Sequence, residues 1–258
     1  MIDHNQPGLR AFISYSHHDR EAAANVSAAL AELGITTFMA HEDIQVSEKW
    51  QKRIVEELNK TDLFIPLLSS NFRNSEWTSQ EVGFAMSRPD FPIIPLALDD
   101  TVPYGFINHL QSECINGKDR PSPDLFVRPL VEALPRKTFP VLIGRMRSAG
   151  SFRDAEKIVG RIAPFYAVLT AEETEAFAKA AIENGQVWDA NQCKKRYLPD
   201  FLKEKGGRID TNLGRILSYQ INKGQQHPEA LNIKSEDRGS LVRLFRRIRG
   251  FFQIKDRT

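Results

Sequence analysis

Residues 62–68 are almost wholly apolar, and a run of that length suits a central parallel strand buried on both faces. Residues 10–15 (RAFISY) and 35–39 are also strand-like, 92–98 read as a fourth buried strand, and a short fifth is expected near 112–115. Between them, apolar residues recur at helical spacing. Residues 19–33 form one such stretch, closed by Gly34. Residues 47–59 form another, with Ser47 as N-cap and Trp50, Ile54 and Leu58 on one stripe, and residues 75–86 a third, with Trp77, Val82, Phe84 and Ala85 available to the core. Strands alternating with helices in this way predict βαβ units, hence an α/β fold with a parallel sheet, helices on both faces and right-handed crossovers. Ligands of such sheets gather outside the carboxyl ends of the strands, so the loops after Tyr15, Met39 and Leu68 are where function is sought.

The pattern changes after the loops expected at 117–123 and 135–140. Ser151 with Asp154, and Thr170 with Glu173, match the helix-capping signature, the second opening a helix over 171–184 before Gly185. Leu198, Phe201 and Leu202 continue an apolar face, with interruptions at Gly206-Gly207 and over 223–240. Two domains are expected: a sheet domain over 9–134 and a smaller, mostly α-helical one over 141–258. Composition agrees, because 41% hydrophobic and 26% charged residues in 258 imply a packed core. The formal net charge of +2 is a cancellation: residues 1–135 carry −8 and residues 136–258 carry +10.

No stretch approaches the roughly 20 apolar residues of a membrane-spanning helix, and the first residues have neither a basic start nor an apolar run. A cytoplasmic protein is expected. Cys114 and Cys193 stand far apart without C-x-x-C spacing, which predicts free thiols and no zinc site. Neither G-x-G-x-x-G nor a P-loop occurs, so hydride transfer and ordinary ATP hydrolysis lose their phosphate cradle. A phospho-accepting receiver needs acidic residues at strand ends where this chain has Ser14-Tyr15-Ser16 and Leu68-Ser69-Ser70. His17-His18-Asp19 cannot readily converge on one ion, so no metal site is expected.

Three segments carry a resemblance. Arg10–Tyr15 with Ser16-His17-His18-Asp19 resembles the first strand and loop of Toll/interleukin-1 receptor (TIR) domains, particularly bacterial ones. Ile35-Thr36-Thr37-Phe38 resembles their second strand, and Ser75-Glu76-Trp77-Thr78-Ser79-Gln80-Glu81 their W-x-x-x-E segment. Together they cover roughly 9–134 in order. The resemblance implies a flavodoxin-like fold and, as in many members, cleavage of NAD at the nicotinamide–ribose bond, by a glycohydrolase or by a cyclase forming a cyclic ADP-ribose isomer. NAD is then substrate, and no other cofactor is implied. By the same resemblance Glu81 takes the catalytic place, and Trp77, Phe38, Tyr15, Ser16 and His17 line the substrate cleft. The loop after the second strand departs from the family, with Ala40-His41-Glu42-Asp43 and Val46-Ser47 where an early acidic residue and a Pro-Gly pair are common.

Elementary chemistry is compatible with those roles. Trp77 and Glu81 are i and i+4, on one helix face. Breaking the bond to a positively charged nicotinamide leaves an oxocarbenium-like ribose, which a carboxylate stabilises. The leaving group departs neutral, so no general acid is needed. The aromatic residues offer flat surfaces to rings, and the helix beginning near Asp19 offers its N-terminus to a pyrophosphate. Spacing alone favours Glu81 as an exposed helix carboxylate and Trp77 as a core aromatic, and leaves Phe38 open between core and ligand.

Residues 238–258 hold seven Lys+Arg and one Asp. Leu241, Leu244, Phe245, Ile248 and Phe252 form an apolar face at helical period, expected to dock on the protein itself rather than on a membrane surface or nucleic acid. The expected function is an NADase activated by self-association through TIR domains in bacterial antiphage defence, with an unidentified trigger bound by the helical domain. The alternative is a non-catalytic TIR–TIR interaction module, an adaptor or virulence effector.

Overall fold

A computed structural model describes residues 8–39, 50–115, 117 and 119–222. The expectations for the 40–49 loop, the Ser47 cap, the 223–240 interruption and the basic stretch 241–258 lie outside the described residues. The chain divides into two compact units, Met1–Leu142 and Ile143–Thr258.

The first unit holds β1 (Arg10–Ser14), β2 (Thr36–Met39), β3 (Leu63–Leu68), β4 (Leu96–Ala97) and β5 (Glu113–Cys114) in one five-stranded sheet of order β2-β1-β3-β4-β5. Every pairing is parallel, as the alternation predicts. Helices α1 (Arg20–Glu32), α2 (Trp50–Lys60), α3 (Ser70–Arg73), α4 (Glu76–Ser87) and α5 (Asp124–Ala133) follow, and α6 (Pro135–Arg147) runs past the unit's end. All six residues of β3 are buried, which is why the run is apolar on both sides. Gly34 adopts φ 85° directly after α1, a left-handed turn that a side chain would strain.

One face of the sheet places the site. Side chains alternate along a strand, so Phe12 and Ser14 share a face. Phe12 packs there with Phe38, Phe64 and Leu68 from the strands, Ile54 and Leu58 from α2, and Val82 and Ala85 from α4. The rings of Phe38 and Phe64 lie 5.3 and 5.8 Å from that of Phe12.

Several elements differ from the sequence reading. The fourth strand is two residues long instead of seven, because Pro92 and Pro95 bring no N–H to the ladder; Ile93 makes only an isolated bridge to Phe64. Residues 135–140 are helix, not loop. Pro135 suits a first helical position, and Pro140 sits inside α6 at the loss of one backbone bond. The short helix α3 went unforeseen; the Ser69 hydroxyl caps it by accepting from the Phe72 amide at 3.0 Å. Trp77 is exposed and Phe84 only half-buried, so neither is a fully buried core residue.

The second unit contains α7 (Phe152–Ile162), α8 (Ala171–Glu183), α9 (Gly185–Trp188), α10 (Leu198–Lys205) and α11 (Thr211–Asn222). Tyr166, Phe177 and Phe201 form an aromatic centre with ring separations of 4.4–5.4 Å. Both expected caps form. Ser151 accepts from the Asp154 amide, and Thr170 and Glu173 complete a reciprocal capping box with bonds of 2.9 and 3.2 Å. Gly206–Arg208 is a 3-10 turn, where the sequence predicts the break. The buried Lys205 ammonium donates to the Ala167 and Leu169 carbonyls at 3.0 and 3.1 Å, tying α10 to the chain before α8.

Candidate active site

Ser75 opens α4 by accepting from the Thr78 amide, and the Thr78 hydroxyl donates to the Phe72 carbonyl at 2.7 Å. These bonds fix the first turn of α4. One turn later Glu81 points inward, 5% exposed, beside Val82 and one turn before Ala85. The Ser14 hydroxyl at the end of β1 donates a hydrogen bond to Glu81 Oε2. Burial raises the Glu81 carboxyl to about 7, with the bond from Ser14 pulling the other way. Among the described residues no cation pairs with it. A carboxyl of this kind, poised near neutral pH at the carboxyl edge of a parallel sheet, is the arrangement expected of a working group.

Other polar groups stand on the loops at the carboxyl edge of the sheet. Asp19, just before α1, accepts from Ser69 Oγ at 2.6 Å and Asn71 Nδ2 at 3.3 Å, linking the loops after β1 and β3. Asp99, beyond β4, accepts from the Ser70 and Thr101 amides at 2.9 and 2.8 Å, and its hydrogen bonds hold its carboxyl below the usual range. The expected pyrophosphate seat at the start of α1 is thus fronted by the Asp19 carboxylate, which repels an anion.

The other expected site residues divide. Tyr15 and Ser16 are buried directly after β1, one and two positions beyond Ser14. His17 is exposed in the following 3-10 turn, its ring centroid 3.7 Å from that of His18. Trp77 is 38% exposed on the first turn of α4, a ring open to solvent one turn from Glu81. Phe38 is 2% exposed and paired in register with Phe12, so it packs in the core and offers no open face. β2 ends at Met39, where the sequence reading ends it, and its register aims Phe38 at the face that carries Phe12. Ser14 is the residue the sequence reading passed over. The signal was present, since a lone hydroxyl two positions after Phe12 falls on the face that α4 covers.

A parallel five-stranded sheet of order 2-1-3-4-5 with a buried carboxyl at its carboxyl edge is a flavodoxin-like α/β domain. Residues 11–126 match the family model described as "TIR domain", and this span has the TIR fold. It is similar to the TIR domain of the Toll-related receptor TRR-2 from Hydra magnipapillata, with 22% identity over 50% of this chain and 96% of that one and a TM-score of 0.39. No curated protein matches the chain. No helix among the described residues is long and apolar enough to cross a membrane.

Proposed function

We propose that the TIR domain cleaves NAD at the nicotinamide–ribose bond, with the buried Glu81 carboxyl at the sheet's carboxyl edge as the observation that carries the reading. The ribose–nicotinamide bond breaks with its electron pair passing to the ring nitrogen, and nicotinamide leaves neutral. Positive charge develops on the ribose, and the ionised Glu81 stabilises it in a site where burial strengthens electrostatics. Water adds to the anomeric carbon and loses a proton to solvent, giving ADP-ribose; an adenine nitrogen adding instead gives the cyclic isomer. Trp77 supplies a ring surface one turn away, with Tyr15, Ser16 and His17 on the adjoining loop. The helical unit is assigned the binding of an activating trigger.

Nicotinamide release from concentrated protein, followed by chromatography of the products, tests this. Wild-type protein is expected to release nicotinamide, with a rate that rises with pH through about 7 as Glu81 ionises. Glu81→Gln is expected to lose at least about 100-fold in rate. Equal release by wild type and Glu81→Gln would end the enzymatic reading.

A second reading has its own support. The 3-10 turn Gly105–Ile107 packs against α4 and leaves Phe106 72% exposed, with Val102 exposed nearby. TIR domains commonly associate with one another, and this surface suits an adaptor that works by contact alone. Loss of self-association in Phe106→Ser, together with no nicotinamide release by wild type, would favour it.

A further inference from the structure

We infer that Ser14 is a positioning residue for the proposed NAD cleavage, holding the Glu81 carboxylate in the orientation that faces the ribose; the inference rests on that reading. Parity on β1 puts Ser14 on the face that carries Phe12, and α4 lies over that face through Val82 and Ala85. The hydroxyl therefore comes from the sheet and the carboxyl from the helix. Both are almost fully withdrawn from water. A hydroxyl enclosed in this way needs a partner from the protein, and it donates to Glu81 Oε2.

The consequence is orientational. A glutamate terminal torsion is broad and roughly two-fold, so a carboxylate on three flexible bonds has no preferred facing of its own. Anchoring Oε2 to the end of β1 fixes that torsion and leaves Oε1 for the ligand. Catalytic groups held this way lose less freedom when the transition state forms. A hydrogen bond donated to the charged form also favours ionisation, the state the reaction uses. No charged side chain among the described residues contributes to the titration of Glu81; burial and the Ser14 bond are its causes. Ser14 is thus the one group from the sheet that steers this carboxyl.

Ser14→Ala removes the oxygen and little else, so the fold should persist, as circular dichroism would verify. Two readouts test the role. In full-length protein labelled with 13Cδ-glutamate, the Glu81 resonance is identified by its absence in Glu81→Gln. Its titration midpoint is expected to rise by about half a pH unit or more in Ser14→Ala, and Ser14→Cys, with a weaker donor of similar size, should fall between. In the nicotinamide assay Ser14→Ala should lower kcat about 10- to 100-fold with KM changed less than about threefold, and the half-maximal pH of the rate should move up with the midpoint. Coincident midpoints in wild type and Ser14→Ala would overturn the inference whatever the activity. So would a shifted midpoint with unchanged kcat. Wild-type protein that releases no nicotinamide would overturn the NAD reading instead, and the titration then decides the Ser14–Glu81 coupling alone.

Discussion

At the amino edge of the sheet, Glu57 of α2 is 1% exposed and meets three cations: Arg10 at 2.5 Å, Lys60 at 3.1 Å and Arg53 at 3.3 Å. At the carboxyl edge Glu81 is buried almost as deeply and meets one hydroxyl. The residue type and the depth match, and the surroundings do not. The first carboxylate has its charge cancelled by its neighbours, as a group that only holds the fold together requires. The second is left to titrate near neutral pH. Burial by itself therefore says little about a glutamate; the count of cations around it separates the structural case from the functional one.

The largest effect expected from this contrast is on stability at Glu81. Its folded value of about 7 lies above the ordinary 4.5, so between those values the folded state holds a proton that the unfolded chain releases. Stability then falls as pH rises through that window, by up to about 3 kcal/mol above it. Glu81→Gln should remove that dependence. Urea titrations are expected to find the variant about 1–3 kcal/mol more stable than wild type at pH 8 and little different at pH 4, even as nicotinamide release collapses. A less stable variant at pH 8 would break the contrast.

Glu57→Gln should act in the opposite sense. It leaves Arg10 and Arg53, each about a third exposed, facing a neutral amide, at a cost of about 2 kcal/mol in the same titrations. The nicotinamide rate per folded molecule should stay within about twofold of wild type. The smallest effect belongs to Lys60→Met. Lys60 is about half exposed, and two other cations remain on Glu57, so the loss should be under about 0.5 kcal/mol. A larger loss would mean that the three cations do not share the work.

Much of the sheet is legible in the sequence. The β3 run and the βαβ spacing pointed to a parallel sheet, and Thr170 with Glu173 to a cap that forms as read. What misled was local. Pro92 and Pro95 sit in an apolar run, and hydropathy does not register a missing N–H. Pro135 and Pro140 read as loop, although Pro at a helix start is favoured and the packing of α6 tolerates the second. At the site, spacing alone made Glu81 an exposed carboxylate and Trp77 a core ring, and each is the other way round. A helical stripe fixes which residues share a face; it does not say where along the sheet that face meets a strand end. Spacing left Phe38 open between core and ligand, and its register opposite Phe12 puts it in the core.

Strand parity also governs where this domain can change length. A one-residue slip of β1 against its neighbours, as an insertion or deletion ahead of Phe12 would force, would turn the Phe12 ring out of the core and the Ser14 hydroxyl away from α4 in the same event. The residues that make the domain stable and the residue that aims its carboxyl are thus subject to a single frame. Length variation among chains built on this plan should accumulate in connections such as residues 99–112 and stay out of β1, which would keep its five residues even where their identities drift.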